Sequence, residues 1–143
     1  MFLGTFELRL DEKSRLMIPA KCREDLMGGM VLTKGQERCL YVFQIEEFDR
    51  ITKVLRTSPI SDKVFRDYSR VFFAGASREV LDRQGRITIP YGLRSYAGLA
   101  GDCAVIGVSS RLEIWNLQNW RNYLSDRESH FSATAGNIFR EVL

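Results

Sequence analysis

Two stretches of thirteen residues repeat one pattern and constrain the fold more than any other part of the sequence. Residues 11–23 and residues 82–94 each begin with an aspartate, place an arginine four positions later, continue through an Ile-Pro pair and end with a second arginine. Every one of these positions is offset by 71 residues between the copies. The constant offset indicates an internal duplication. A chain of 143 residues is therefore predicted to fold as two related units sharing one core.

The positive charge is concentrated around the repeated pattern. The whole chain carries +3, whereas residues 9–23 hold five basic and two acidic side chains and residues 78–94 hold four and two. The remainder is therefore about neutral or slightly acidic. With 45% hydrophobic and 27% charged residues, the composition is typical of a soluble protein with a buried core and excludes a disordered chain. The net charge alone does not establish a nucleic-acid partner.

Each copy of the pattern is predicted to contain a tight turn between two short strands. Apolar and charged residues alternate along residues 6–10, which is the period of a half-buried strand, and a short apolar run follows at residues 16–18. Gly85 in the second turn indicates a left-handed backbone position. Ser14 occupies the same place in the first turn, where that conformation costs about 1 kcal/mol.

Prolines and glycines predict a short helix after each turn. Pro19 and Pro90 end the second strand of each copy and have the fixed φ that suits a helix start. Gly28 and Gly98 are expected to end these helices as C-terminal caps. The predicted helices are residues 20–26 and 91–97.

The rest of each half adds a second hairpin and a longer helix, so the duplication spans each half. Asn116 is a candidate helix cap, and Asp62 lies in the first turn of a linking helix whose apolar stripe is expected to pack across both halves. Residues 137–143 suit either a short helix or an oligomer contact. The predicted divisions are a first repeat at 1–60, a linking helix at 61–74, a second repeat at 75–128 and a C-terminal tail at 129–143.

Several classes of function find no support in the sequence. His130 is the single histidine, which excludes multi-histidine metal sites. The three cysteines, Cys22, Cys39 and Cys103, lack zinc-ligand spacing and are expected to be small buried residues in a reducing cytosol. Neither a signal peptide nor a membrane span is indicated. We expect no enzyme activity, no cofactor and no metal, and a cytoplasmic location.

The Asp-x-x-x-Arg pattern occurs twice, and an apolar residue, a spacer and Ile-Pro follow each copy. This doubled pattern resembles the MraZ family of bacterial regulators of the division and cell-wall gene cluster. The resemblance covers the whole chain. It extends to the wider AbrB-type group of swapped-hairpin DNA-binding proteins. It implies an α+β fold in which two tandem AbrB-like repeats form one intramolecular pseudo-dimeric β-barrel with short helices. It also implies assembly into a homo-oligomeric ring and association with the nucleoid, where the protein would repress its own operon through repeated promoter boxes.

The motif positions carry over as candidate site residues. Arginine can make paired hydrogen bonds to phosphate or guanine, and lysine adds a mobile charge. Asp11 and Asp82 are expected to accept turn amides and orient the arginines. The predicted DNA contacts are Lys13, Arg15, Arg83 and Arg86, and the candidate additional contacts are Arg9, Lys21, Arg23 and Arg94.

Alternatives to these assignments stay open at the level of sequence. The Asp–Arg pairs also suit structural ion pairs, which contribute only about 0–1 kcal/mol when exposed. For Arg23 and Arg94 an intramolecular pair is slightly favoured over DNA contact. The leading hypothesis is a sequence-specific DNA-binding regulator of double-stranded DNA. A second is an adaptor barrel whose basic loops bind an acidic protein, and a third, an enzyme on a related barrel, lacks a catalytic constellation.

Overall fold

The computed structural model describes the backbone of residues 1–142, together with the side chains of residues 1–133 and of Arg140. Leu143, the last residue of the predicted tail, lies outside the described residues. The strands are β1 (Phe2–Arg9), β2 (Arg15–Met17), β3 (Met30–Lys34), β4 (Leu40–Gln44), β5 (Ser77–Glu79), β6 (Arg86–Thr88), β7 (Asp102–Ser109) and β8 (Leu112–Asn116). The helices are α1 (Ala20–Leu26), α2 (Ile45–Arg56), α3 (Lys63–Ala74), α4 (Tyr91–Ala97) and α5 (Leu117–Val142). The predicted α+β class is confirmed.

The two halves exchange their first strands. A six-stranded antiparallel sheet has the order β1-β7-β8-β4-β3-β5, and β2 pairs with β6 in a separate two-stranded sheet. Strand β1 of the first half therefore lies on β7 of the second half, while β5 of the second half lies on β3 of the first. The pairs β2/β6 and β4/β8 each join equivalent strands of the two halves. The halves consequently share one hydrogen-bonded framework.

The strand pairing does not confirm the predicted pseudo-dimeric β-barrel. The edges of the six-stranded sheet are β1 and β5, with four strands between them, so its ladder stays open within the described residues. The predicted hairpin between β1 and β2 also differs, because the turn is present but the two strands it joins belong to different sheets. The backbone separates them at this point, since the amide of Leu10 donates to Gly101 and that of Ile18 donates to Gly85, both in the second half.

The core lies between the six-stranded sheet on one side and the β2/β6 pair with α1 and α4 on the other. The Ile-Pro motif supplies its centre, because the apolar residues just before each proline are fully or almost fully buried. Burying each such side chain contributes about 1.5–3 kcal/mol. These motif residues are Leu16, Ile18, Ile87 and Ile89.

The short helices after the turns confirm the sequence prediction. Helices α1 and α4 each begin one residue after the proline, and Gly98 ends α4 in a left-handed conformation with φ 64°. The prediction for Gly28 is wrong. Met27 is the C-terminal cap residue of helix α1. The positive φ, 105°, belongs to Gly29, one residue after the predicted position.

Helices α3 and α5 depart from their predictions. Helix α3 starts at the predicted place, where Asp62 accepts a hydrogen bond from the amide of Val64, but Phe72 is the residue of its stripe that is buried. Phe72 packs on Phe43 and Phe48, so α3 lies mainly on the first half instead of spanning both.

Helix α5 starts behind the predicted cap, since the amide of Asn119 donates to the Asn116 side chain at 3.0 Å. It then runs without interruption through the predicted tail as far as Val142. Tyr123 still packs on Trp115, but every residue from Ser125 to Ala133 is exposed, so the body of the protein leaves this later part of the helix uncovered.

Candidate nucleic-acid interface

Each Asp-x-x-x-Arg turn is closed by its own aspartate. The carboxylate of Asp11 accepts hydrogen bonds from the backbone amides of Lys13 at 2.8 Å and Arg15 at 3.0 Å. It also accepts one from the Arg15 Nε at 2.7 Å. Asp82 makes the same three contacts in the second turn, at 2.8–2.9 Å. A carboxylate can bridge a turn in this way only when the acid stands two and four residues before its donors. The four-residue spacing of the motif is thereby explained.

These contacts keep both aspartates ionised. The backbone amide of Arg15 is the largest cause that lowers the pKa of Asp11 below its ordinary value, and partial burial opposes it. The Arg15 side chain and the amide of Lys13 lower this pKa further. The pKa of Asp82 is lowered by the equivalent groups, the amide of Arg86 first. Hydrogen bonds to a charged carboxylate stabilise that form, so each turn is held by an anion at neutral pH.

The fourth residue of each turn adopts the left-handed conformation. Gly85 has φ 81° and Ser14 has φ 61°. Both of their amides donate to the aspartate carbonyl at the start of the turn, at 3.0 Å. Serine tolerates this conformation at a cost that glycine avoids. The two turns therefore share one geometry although their sequences differ.

The two turns form a single unit across the halves. In the β2/β6 pair, Leu16 lies opposite Ile87, and Arg15 and Arg86 lie on either side of this centre. The ladder continues into the turns themselves, because Ile18 donates to Gly85 at 2.9 Å and Ile89 donates to Ser14 at 3.0 Å.

A side-chain contact also crosses between the motifs, where the Arg86 Nη1 lies 4.0 Å from the Asp11 carboxylate. No local sequence signal predicts this contact, since it depends on how the repeats pair.

The predicted site cations divide into exposed and held groups. Arg15 and Arg86 are mostly covered, with side-chain exposures of 28% and 23%, because their aspartates bind them. Lys13, Arg83 and Lys21 are exposed. The first two stand at the tips of the turns, on a backbone that the aspartates fix.

The remaining candidate contacts are engaged within the chain. Arg9 forms an exposed ion pair with Asp102 at 2.9 Å. Arg23 donates from Nε to the carbonyl of Ile18 at 2.9 Å, and Arg94 donates to the carbonyl of Ile89. The favoured intramolecular interpretation of Arg23 and Arg94 agrees with these contacts, although their partners are carbonyls and not carboxylates.

The three cysteines, Cys22, Cys39 and Cys103, are buried. All three thiols are free. Burial raises the pKa of Cys103 to about 11 and raises that of Cys39 further, so neither is a thiolate at neutral pH. Among the described residues, no group of three or more His, Cys, Asp or Glu side chains is placed to hold a metal ion. In the same part of the chain, no helix is long and apolar enough to cross a membrane.

The exchanged strands and paired turns define a class of protein, in which two β-hairpin repeats are joined in one chain as an internal pseudo-dimer. The profile of the family described as "MraZ protein, putative antitoxin-like" matches the chain twice, over residues 1–71 and 72–141. The chain belongs to this MraZ family.

Relatives resemble the chain over nearly all of its length. The protein named Transcriptional regulator MraZ from Thermobifida fusca is 59% identical over 143 residues, which is the whole of both chains. Proteins of the same name from Parafrankia sp. and Kocuria rhizophila are 56% and 60% identical, covering 100% and 96% of both chains. The resemblance found in the sequence motif is thus confirmed at the level of family.

Proposed function

We propose that this chain is a sequence-specific DNA-binding transcriptional regulator that represses its own operon through repeated promoter boxes. It acts in the cytoplasm, in association with the nucleoid, as a homo-oligomeric ring. Its relatives named transcriptional regulators support the general role. The observation that carries the proposal is the joining of two cationic turns into one rigid unit across the β2/β6 pair.

The geometry of the turns suits recognition of duplex DNA. Lys13 and Arg83 are exposed at the tips and suited to phosphate contact, while Arg15 and Arg86 have their guanidinium groups oriented by carboxylates. An oriented guanidinium can make the bidentate contact with guanine O6 and N7 that reads sequence in the major groove. The backbone of the turns is fixed before DNA arrives, so little ordering entropy opposes binding.

One protomer provides few such cations, which makes assembly part of the proposal. A handful of phosphate contacts gives weak affinity that falls steeply with salt. Several linked protomers would gain avidity of about 10²–10⁴-fold by engaging repeated boxes together. Uncovered apolar surface is available for assembly on α3, where Val64 is 76% and Val71 is 55% exposed, and on α5, where Phe131 is 69% exposed. This surface is consistent with contacts between copies of the chain.

A titration against the chain's own upstream region tests the proposal. The full chain is added to a duplex of that region and to a shuffled duplex of equal length, over a series of salt concentrations. We expect the upstream duplex to bind at least about 10³-fold more tightly, as is usual for specific recognition. Equal binding to both duplexes would contradict the proposal. It would favour the alternative, an adaptor whose basic loops meet an acidic protein.

A further inference from the structure

Arg23 of the first repeat lies directly on the turn of the second repeat. Its Nε donates to the carbonyl of Ile18, at the end of β2, at 2.9 Å. A methyl group placed on Gly85 would come within 2.5 Å of that Nε and 2.8 Å of the guanidinium carbon. The guanidinium of Arg23 therefore occupies the space that a side chain at residue 85 would need.

Gly85 is consequently constrained in two independent ways. Its φ of 81° disfavours any residue with a Cβ, and Arg23 fills the place of that Cβ. The carbonyl of Gly85 is also bound, since it accepts the amide of Ile18 at 2.9 Å. Two residues of the first repeat thus hold Gly85: Ile18 binds its carbonyl, and Arg23 packs against the side of its Cα where a Cβ would lie.

The equivalent contact on the other side is chemically different. Arg94 donates to the carbonyl of Ile89, as Arg23 does to that of Ile18, but the turn residue equivalent to Gly85 is Ser14. Ser14 already carries a side chain. A guanidinium therefore cannot occupy the place of that side chain in the way that Arg23 does at Gly85. The two turns are therefore held unequally.

We infer that Arg23 is a positioning residue that fixes the second turn against the first repeat, and that it does not contact DNA itself. By holding Gly85, Arg23 fixes the position of Arg83 and Arg86 relative to the first turn. Groups fixed in the binding geometry before the ligand arrives bind more tightly than groups that must be ordered. The consequence for DNA rests on the proposed function, whereas the contact between Arg23 and Gly85 does not.

A double-mutant cycle on the DNA-free protein tests the contact. Gly85→Ala is measured by urea unfolding in the wild-type background and in the Arg23→Met background. We expect Gly85→Ala to lower the equilibrium constant for folding about tenfold more in the background that keeps Arg23 than in the Arg23→Met background. Only Arg23 places a guanidinium against the new methyl group. Gly98→Ala is the matched control, since Gly98 has φ 64° with nothing within 4 Å of its added Cβ. Its effect should be equal in both backgrounds. An equal effect of Gly85→Ala in both backgrounds would overturn the inference.

A salt series with the upstream duplex tests the role in DNA binding. At a temperature where both proteins are folded, we expect Arg23→Met to bind about tenfold more weakly with an unchanged slope of log affinity against log salt. The slope stays because the bound state keeps every phosphate contact. A slope reduced by about 0.9 for each Arg23 removed would make Arg23 a phosphate contact and overturn the inference, as would unchanged affinity. Lys53→Met, on α2, controls for the lost charge. If wild type shows no preference for the upstream duplex, the proposed function fails while the unfolding cycle still decides the contact.

Discussion

At the scale of single residues, the aspartate of each motif uses one carboxylate both to close a turn and to bind the guanidinium of an arginine. Asp11 binds two amides and Arg15 at once, and Asp82 repeats this with Arg86. The aspartate and arginine are therefore one unit, and the arginine depends on its partner for direction. An isolated surface ion pair would contribute little, but the turn amides make this carboxylate structural as well.

Arg15→Ala is expected to weaken specific DNA binding about 10- to 100-fold, the range of one bidentate arginine contact. The loss should leave the fold and the oligomer intact, because the amides of Lys13 and Arg15 still close the turn on Asp11. Affinity for the upstream duplex and the mass in solution are the measurements. Lys53→Ala removes the same charge from α2 and should bind nearly as wild type. Wild-type affinity in a folded Arg15→Ala protein would refute the assignment.

The aspartates predict a dependence of stability on pH. Each has a pKa lowered from the ordinary 3.8, so each stabilises the folded state above that value and loses this contribution as pH falls through its lowered pKa. We expect the double variant Asp11→Asn, Asp82→Asn to have a lower Tm than wild type at pH 7. The difference should shrink as pH falls below about 3.8. Thermal unfolding from pH 7 to pH 2 measures it, and Asp49→Asn on α2 is the control. A constant difference over this range would contradict the account.

At the scale of elements, the exchange of first strands joins the halves. Strands β1 and β5 each lie on a strand of the other half, and Leu16 packs opposite Ile87 at the centre of the β2/β6 pair. Neither half can complete its sheet alone. Folding of one half is therefore coupled to folding of the other.

Leu16→Ala and Ile87→Ala should each cost about 2–5 kcal/mol, because both residues are almost completely buried. Since the two residues are direct partners, the double variant should cost measurably less or more than the sum of the two, by about 0.5–3 kcal/mol. Urea unfolding followed by tryptophan fluorescence and by circular dichroism provides the values. We also expect both probes to give one coincident transition. Two separate transitions would show that the halves fold independently.

The helices next to the motif could be predicted from the sequence because their signals are local. Pro19 and Pro90 mark the starts of α1 and α4, and Gly98 marks an end. The exchange of strands could not be derived from the residues, because the alternation in β1 shows a half-buried strand but not its partner. The family resemblance supplied it. The contact of Arg23 with Gly85 also joins distant parts of the chain, and the glycine indicated only a positive φ. The length of α5 was missed because residues 125–133 are exposed and lack the packing that produces an apolar period.

At the scale of the whole molecule, the sheet separates two surfaces. The motif turns are built by the β2/β6 pair on the core side, whereas α2, α3 and α5 lie against the opposite face through Phe43, Phe72 and Trp115. Binding of DNA and contact between copies can therefore use different parts of the protein. In the proposed ring, each added copy would bring another pair of turns to the next box.

Removal of residues 127–143 is expected to reduce the oligomer while leaving the protomer folded, because Trp120 and Tyr123, which pack on Trp115, remain. Sedimentation would show the smaller mass, and circular dichroism would show the retained fold. Affinity for a duplex carrying several boxes should fall by about 10²-fold or more as avidity is lost, with little change for a single box. An unchanged mass would exclude residues 127–143 from the interface.

Footprinting of the full chain on its own upstream region tests the central claim most directly, with the Arg15→Ala, Arg86→Ala double variant alongside. Protected segments should recur at a regular interval, and the double variant should lose them while it keeps the mass and fold of the wild type. Protection that persists in the double variant, or that shows no preferred position in the wild type, would contradict recognition of repeated boxes by the paired turns.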